Sequence, residues 1–271
     1  MDDLFKEVLG IEINIQQIIQ LGALILARLT PAIFQTPFMG GEVVQTETKM
    51  GISFILLIYF YPAVTANLPY PLPAETSTYV MLLVKEFFIG FVMGFLASLP
   101  FNYISSAGNQ IDTARGASQG QIQNPGLSED VTLMSNHLYW MMVFLFLAAN
   151  GHHIYLQGVA RSFSIIPLTA MPAFELGFTP FVQDIVRLTA EMFVLTVQLA
   201  APVMIVCLIT DVVFGLFNKI AAQMQVGEMS QVIKLLVGLW VFLLSLPVVV
   251  RQMYRLLDEM LGYSLDLLQK M

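Results

Sequence analysis

Asp211 and Glu191 flank the apolar run Met192–Thr210, where a membrane proton relay would place its acids. Such a group costs about 2.5–3.5 kcal/mol to bring to the centre of a bilayer on insertion scales. Both acids have bland explanations nearby: Arg187 lies four residues before Glu191, and Lys219 two turns beyond Asp211, so ion pairing or interfacial placement accounts for them. His152 and His153 are the other residues that could do chemistry, as metal ligands. Adjacent side chains on a helix diverge by about 100°, and no cysteine or carboxylate stands at a local ligand spacing. The pair is therefore read as a helix end near the membrane boundary, not as a metal site. Asp112 and Arg115 stand at i, i+3, the spacing of a local ion pair. Cys207, the only cysteine, sits inside an apolar run and reads as a buried, inert thiol that excludes an intramolecular disulfide. GxSxG, HExxH and P-loop patterns are missing, and no nucleophile–base pair is evident. The sequence therefore predicts no enzyme and no cofactor.

The elements that must position these residues are apolar helices. Of 271 residues, 57% are hydrophobic and 11% charged, against about 25% charged in a soluble domain. The mean hydropathy of +0.74 agrees. Twelve Lys and Arg are spread along the chain at a net charge of −7, which excludes the clustered basic footprint of a nucleic-acid binder. The start, Met1-Asp2-Asp3-Leu4-Phe5-Lys6-Glu7, has no basic n-region, so a cleaved signal peptide is not expected. Candidate membrane segments are Ile13–Ala27 ending at Arg28, Met50–Val64, Phe87–Pro100, Trp140–Ala149, Met192–Thr210 and Leu235–Val250. Several read as too short or too proline-interrupted to cross roughly 30 Å of hydrocarbon alone. Pro62, Pro69, Pro71 and Pro73 predict a stiff linker. From Arg251 to Met271 an amphipathic helix is predicted, with Met253, Leu256, Leu257, Met260 and Leu261 on one face. Sustained alternation is absent, so the expected class is all-α.

Two features suit an assembly of such helices. Gly90-Phe91-Val92-Met93-Gly94 is a GxxxG, which predicts close helix packing at Gly90 and Gly94. The stretch 108–130 is polar and glycine-punctuated, with Gly116, Ser118, Gln119, Gly120, Gln121, Ile122, Gln123, Asn124 and Pro125 between two apolar regions. It reads either as an exposed loop or as a polar segment lining a watery cavity, the one way bare backbone is tolerated at membrane depth.

The order and spacing of several short motifs resemble the FliR/SctT family of the type III export apparatus over nearly the whole chain. They are Leu26-Ala27-Arg28, Thr36-Pro37, Lys49-Met50-Gly51, Glu86–Phe95, Ala107-Gly108, Arg115-Gly116-Ala117-Ser118, Asn124-Pro125, Phe144–His153, Ser162-Phe163, Pro167, Leu199-Ala200-Ala201-Pro202 and Phe214–Lys219. Gln45, Ala222 and Gln225-Val226-Gly227 depart from the family's pattern. Arg115–Ser118 and Asp211 look injectisome-like and Gly151-His152-His153 flagellar, so the branch stays open. The resemblance implies a single-copy export-gate subunit in the bacterial inner membrane, forming and sealing a pore for unfolded flagellar or virulence proteins. FliP/SctR-like and FliQ/SctS-like subunits would pack around it, with FlhB/SctU-like and FlhA/SctV-like proteins as further partners. It further implies a FliP-like part over residues 1–180 and a FliQ-like hairpin over 181–271, with the stretch near 108–130 as the plug. The competing reading is a proton-coupled secondary transporter using Asp211 and Glu191. It predicts inverted repeats, and none is evident in the sequence.

Overall fold

A computed structural model describes residues 15–39, 44–65, 75–117, 132–170, 178–220 and 226–269. These form seven α-helices: α1 Ile15–Phe34, α2 Thr46–Thr65, α3 Thr76–Arg115, α4 Leu133–Ala148, α5 Gly151–Ile165, α6 Phe178–Ile220 and α7 Val226–Gln269. A 3-10 turn, Pro37–Met39, follows α1. No strand occurs among the described residues, so the class is all-α. Among the described residues five helices are long and apolar enough to cross a membrane: Gln16–Phe34, Thr46–Thr65, Thr76–Arg115, Val182–Ile220 and Met229–Leu257. The chain is a membrane protein.

The helices are longer than the apolar runs that mark them. At 1.5 Å per residue, the 40-residue α3 spans about 60 Å, twice the hydrocarbon thickness. Prolines do not end them. Pro31, Pro62, Pro100, Pro202 and Pro247 all lie inside helices. An interior proline removes one helical hydrogen bond, yet helices at membrane depth keep it where neighbours cover the freed carbonyl. Pro62 therefore belongs to α2 and not to the linker, while Pro69, Pro71 and Pro73 lie outside the described residues. The third segment continues past Pro100 through Asn102 and Ser106, whose hydroxyl donates to the Asn102 carbonyl at 2.8 Å within the helix. The predicted tail helix is the continuation of α7, which buries Met253, Leu256 and Leu257.

The chain divides into two compact units interleaved along the sequence. The first comprises Met1–Ser98, His152–Phe181 and Leu261–Met271, the second Leu99–Gly151 and Val182–Met260. In the first, α1 buries Leu21, Leu24, Ile25, Arg28, Leu29, Ala32 and Ile33, an i, i+3, i+4 stripe. Leu82, Ile89, Val92, Met93 and Leu96 of α3 add to this core, with Tyr155, Val159 and Phe163 of α5. In the second unit the core holds Phe101, Ile104, Ala107 and Ile111 of α3 and Leu138, Met142 and Phe146 of α4. Phe101 and Phe146 meet edge to face at 5.5 Å between centroids. Leu199, Ala200, Val203 and Cys207 of α6 and Phe242, Val249 and Met253 of α7 are buried there too. Between α4 and α5 the chain turns at Asn150, which takes a left-handed φ of 56°. Gly151 follows because any Cβ there would collide with the Phe146 ring.

Candidate functional site

Within the second unit, α3 ends on the polar stretch singled out in the sequence. Arg115 closes the helix, and Gly116 turns the chain at φ 73°, donating its N–H to the Thr113 carbonyl at 3.0 Å. Of the plug residues, Gly116 alone is described; Ser118, Gln119, Gly120, Gln121, Ile122, Gln123, Asn124 and Pro125 lie outside the described residues. The chain is described again from Thr132, the N-cap of α4, whose hydroxyl accepts the Ser135 N–H at 3.3 Å.

Both ends of that stretch are tied down by polar contacts. Asp112 and Arg115 form the i, i+3 pair at 3.2 Å, and both are buried. The second carboxylate oxygen of Asp112 accepts the Met134 N–H at 2.8 Å, satisfying one of the orphan donors at the start of α4. Arg115 also donates to the Leu235 carbonyl of α7 at 3.2 Å. Gln231, one turn earlier, donates to the Gly116 carbonyl at 3.2 Å. Gly238 accommodates the stem: an added Cβ would come within 2.5 Å of Arg115 Cγ. α3 and α4 are themselves in close contact. A Cβ on Gly108 would come within 2.5 Å of the Ser135 backbone, and the hydroxyls of Ser105 and Ser135 meet at 2.7 Å.

The first unit contains a second charged network around Arg28, which does not end α1 but sits in its buried stripe. Nε donates to Glu86 at 2.5 Å, one terminal nitrogen to the Ser162 hydroxyl at 3.1 Å, and the other to the Ile166 carbonyl at 2.9 Å. The guanidinium also lies 4.4 Å from the Phe163 ring centroid. Lys85 faces the other Glu86 oxygen at 2.6 Å while donating to the carbonyls of Pro167, Leu168 and Ala170 at 2.9–3.0 Å. Gly90 and Gly94 lie beside this network on α3. A Cβ on Gly90 would overlap the Arg28 carbonyl, and one on Gly94 would stand 2.7 Å from the Pro31 carbonyl. Helix backbones touch here, as small residues permit.

The acids named in the sequence are both paired. Glu191 meets Arg187 at 2.8 Å on the exposed side of α6. Asp211 binds Lys234 of α7 at 2.8 Å, not Lys219. Lys219 is eight residues away on the same helix, about 12 Å along it, whereas the α6–α7 hairpin brings Lys234 within reach. His153 contacts Gln157 at 3.1 Å, one turn on, and His152 is half-buried. Among the described residues no group of three His, Cys, Asp or Glu could hold a metal ion. Tyr155, outside the spans, donates to the Ala32 carbonyl at 2.9 Å, and burial pushes its phenol above the usual range. Sequence reasoning did not single out Gln231 or Gly238. Arg28, Lys85 and Glu86 carried a usable signal, since ionisable residues inside apolar helices mark buried partners.

Comparison with known proteins adds a family to this geometry. Residues 19–260 match the model of bacterial export proteins, family 1. The flagellar biosynthetic protein FliR of Caulobacter vibrioides is 24% identical over 84% of this chain and 89% of its own. The surface presentation of antigens protein SpaR of Shigella sonnei is 25% identical over 79% and 80%. The Yop proteins translocation protein T of Yersinia pestis is 27% identical over 69% and 70%.

Proposed function

The chain belongs to the bacterial export proteins, family 1, the family that includes FliR, and from that premise we propose that it is a single-copy subunit of a type III protein export gate. It forms and seals a pore through which unfolded flagellar or virulence proteins leave the cell. It assembles in the bacterial inner membrane with FliP/SctR-like and FliQ/SctS-like subunits, alongside FlhB/SctU-like and FlhA/SctV-like proteins. Residues 1–180 supply the FliP-like part and 181–271 the FliQ-like hairpin. The observation that carries the reading is the family match along residues 19–260, shared with relatives from flagella and from a translocation system.

Physical arguments support it. α6 leaves Phe193, Ile205, Leu208, Ile209 and Val212 exposed, and α7 leaves Leu236, Trp240, Leu244 and Val248 exposed. Apolar faces of this extent call for lipid or helical neighbours. The stretch from Gly116 to Pro125 is the plug in this reading. Its serine and glutamines can hydrogen-bond in a wet lumen without the desolvation cost of charges. The test is co-purification. Expressed with its neighbouring subunits, the chain should leave the membrane in detergent as one copy in a stable hetero-oligomer. Native mass spectrometry dominated by a well-folded monomer or homodimer would sink the proposal.

A further inference from the structure

The turn after α5 presents its carbonyls to α1 and α3. Of the five carbonyls from Ile166 to Ala170, four accept from cations: Ile166 from Arg28 at 2.9 Å, and Pro167, Leu168 and Ala170 from Lys85 at 2.9–3.0 Å. The turn has few donors of its own to offer them. Pro167 has no N–H, and the Thr169 hydroxyl is buried without a hydrogen-bond partner. The Ile166 and Ala170 amides donate to the Ser162 and Pro167 carbonyls. Glu86 adds an oxygen 2.6 Å from Lys85 Nζ, so four oxygens stand within 3.0 Å of one ammonium nitrogen. We propose that the turn 166–170, with Glu86, is an oxygen cage for a compact monovalent cation of the ammonium class. The Lys85 ammonium is its resident occupant, and the turn takes its shape only around a positive charge at that point.

The count of donors shows what the cage reads. An ammonium has three N–H donors, and three carbonyls take them. Glu86 Oε1 is left with the charge and no hydrogen bond, which is why it lacks a hydrogen-bond partner although the nitrogen is 2.6 Å away. More oxygens than donors is the arrangement of a site that coordinates a charge, as carbonyl rings do for an ion stripped of water. The geometry also selects the shape of the cation. The three carbonyls belong to one short turn and converge on one atom, which suits a point charge on a flexible stem. The planar fork of an arginine spreads its donors over several directions. Charge is balanced on the spot, since Glu86 faces Lys85 with one oxygen and Arg28 with the other. The negative end of the α5 dipole favours the same cation. Without it three carbonyls would lose their donors beside the buried side chains of Ile166 and Leu168, and unpaired buried polar groups carry their desolvation cost in full. The fold of the turn is thereby coupled to the occupant of the cage.

Amide hydrogen exchange in peptides within 162–170 reports the turn, because the Ile166 and Ala170 amides are bonded inside it. It would be measured on the full chain purified from membranes in detergent, together with the subunits that accompany it. Lys85→Ala should speed exchange there by roughly tenfold, the factor one charge-assisted hydrogen bond sustains. Methylammonium offers the same three N–H donors and fits the space the stem vacates, so it should restore slow exchange in this variant. Tetramethylammonium, of equal charge but without a donor, should not. Equal rescue by both salts would reduce the effect to ionic strength, and no rescue by methylammonium would show that no cation site is there; either result overturns the cage. Two further variants separate charge from packing. Lys85→Met keeps the stem and loses the charge, whereas Lys85→Arg keeps the charge in a planar group, and both should exchange faster than the parent. Parent-like exchange in Lys85→Met would mean that packing alone shapes the turn, and in Lys85→Arg that the cage has no preference of shape; each outcome sinks the proposal. If Lys85→Ala does not survive solubilisation, these two variants decide the matter.

Discussion

The two buried arginines make an internal comparison. Each of the three guanidinium nitrogens of Arg28 has a partner, at 2.5–3.1 Å, and Lys85 beside it donates to three carbonyls of the turn after α5. Arg115 has contacts of 3.2 Å and leaves Nε without a partner. Both are buried, both pair with one carboxylate, and both bind a backbone carbonyl of a distant segment. Each network leaves one buried atom without a hydrogen-bond partner, Glu86 Oε1 in the first and Arg115 Nε in the second, and the difference lies in the number and length of the contacts each cation makes. A network with more and shorter charge-assisted contacts costs more to disturb than one with fewer and longer ones. Arg28 locks α1, α3 and the end of α5 together. Arg115 ties the end of α3 to α7 through fewer and longer contacts.

The sharpest way to break this contrast is to remove both guanidinium groups in turn. Arg28→Ala leaves the fully buried Glu86 with Lys85 as its remaining ion-pair partner and should cost about 3–5 kcal/mol. Loss of assembled complex, measured as yield and thermal midpoint after solubilisation, is the expected result. Arg115→Met should cost less, about 1–3 kcal/mol, because Asp112 keeps the Met134 N–H. Equal losses would erase the distinction drawn between the networks. Restoring stability with Arg28→Met combined with Glu86→Leu would sharpen it, by showing that the charges specify the packing more than they stabilise it.

A smaller effect is expected from packing alone. Gly90→Leu forces the backbones of α3 and α1 apart at the Arg28 carbonyl, with an overpacking cost of at least about 1–3 kcal/mol. Assembly should fall, while His152→Ala with His153→Ala leaves it near the parent level. Assembly lost only in the histidine variant would invert the ranking. Smaller still is Glu191→Gln. It breaks an exposed i, i+4 pair, which contributes about 0–1 kcal/mol. Its secretion rate at several external pH values should track the parent, and a shifted pH profile would revive proton transfer at that acid.

The all-α class was legible because composition, the lack of sustained alternation and the i, i+3, i+4 stripe of the tail are properties of the chain itself. Helix lengths were not. Pro62 read as part of a linker and Pro100 as the end of a segment because the sequence does not show the neighbours that let a helix continue through a proline. Arg28 read as the end of a segment for a related reason, since its carboxylate lies 58 residues downstream. Lys219 was chosen for Asp211 by proximity in sequence, whereas the partner, Lys234, is 23 residues on and arrives through the hairpin. Asp112–Arg115 was readable, being local; the ties to Leu235 and Gln231 were not, at 120 and 115 residues' separation.

The Arg28 network also bears on how the chain is made. Its ligands appear during synthesis in a fixed order: Glu86 58 residues after the arginine, Ser162 134 residues after it. At about 5–20 residues per second, the ribosome would need roughly 7 to 27 s between Arg28 and Ser162. Through that interval α1 carries a cation whose charge costs about 2.5–3.5 kcal/mol at a helix centre. α1 should therefore settle late, after α3 and α5 exist. Nascent chains stalled before Glu86 should expose α1 to protease or to a membrane-impermeant label, and chains stalled beyond Ser162 should protect it. Insertion of α1 would then run against the order of synthesis.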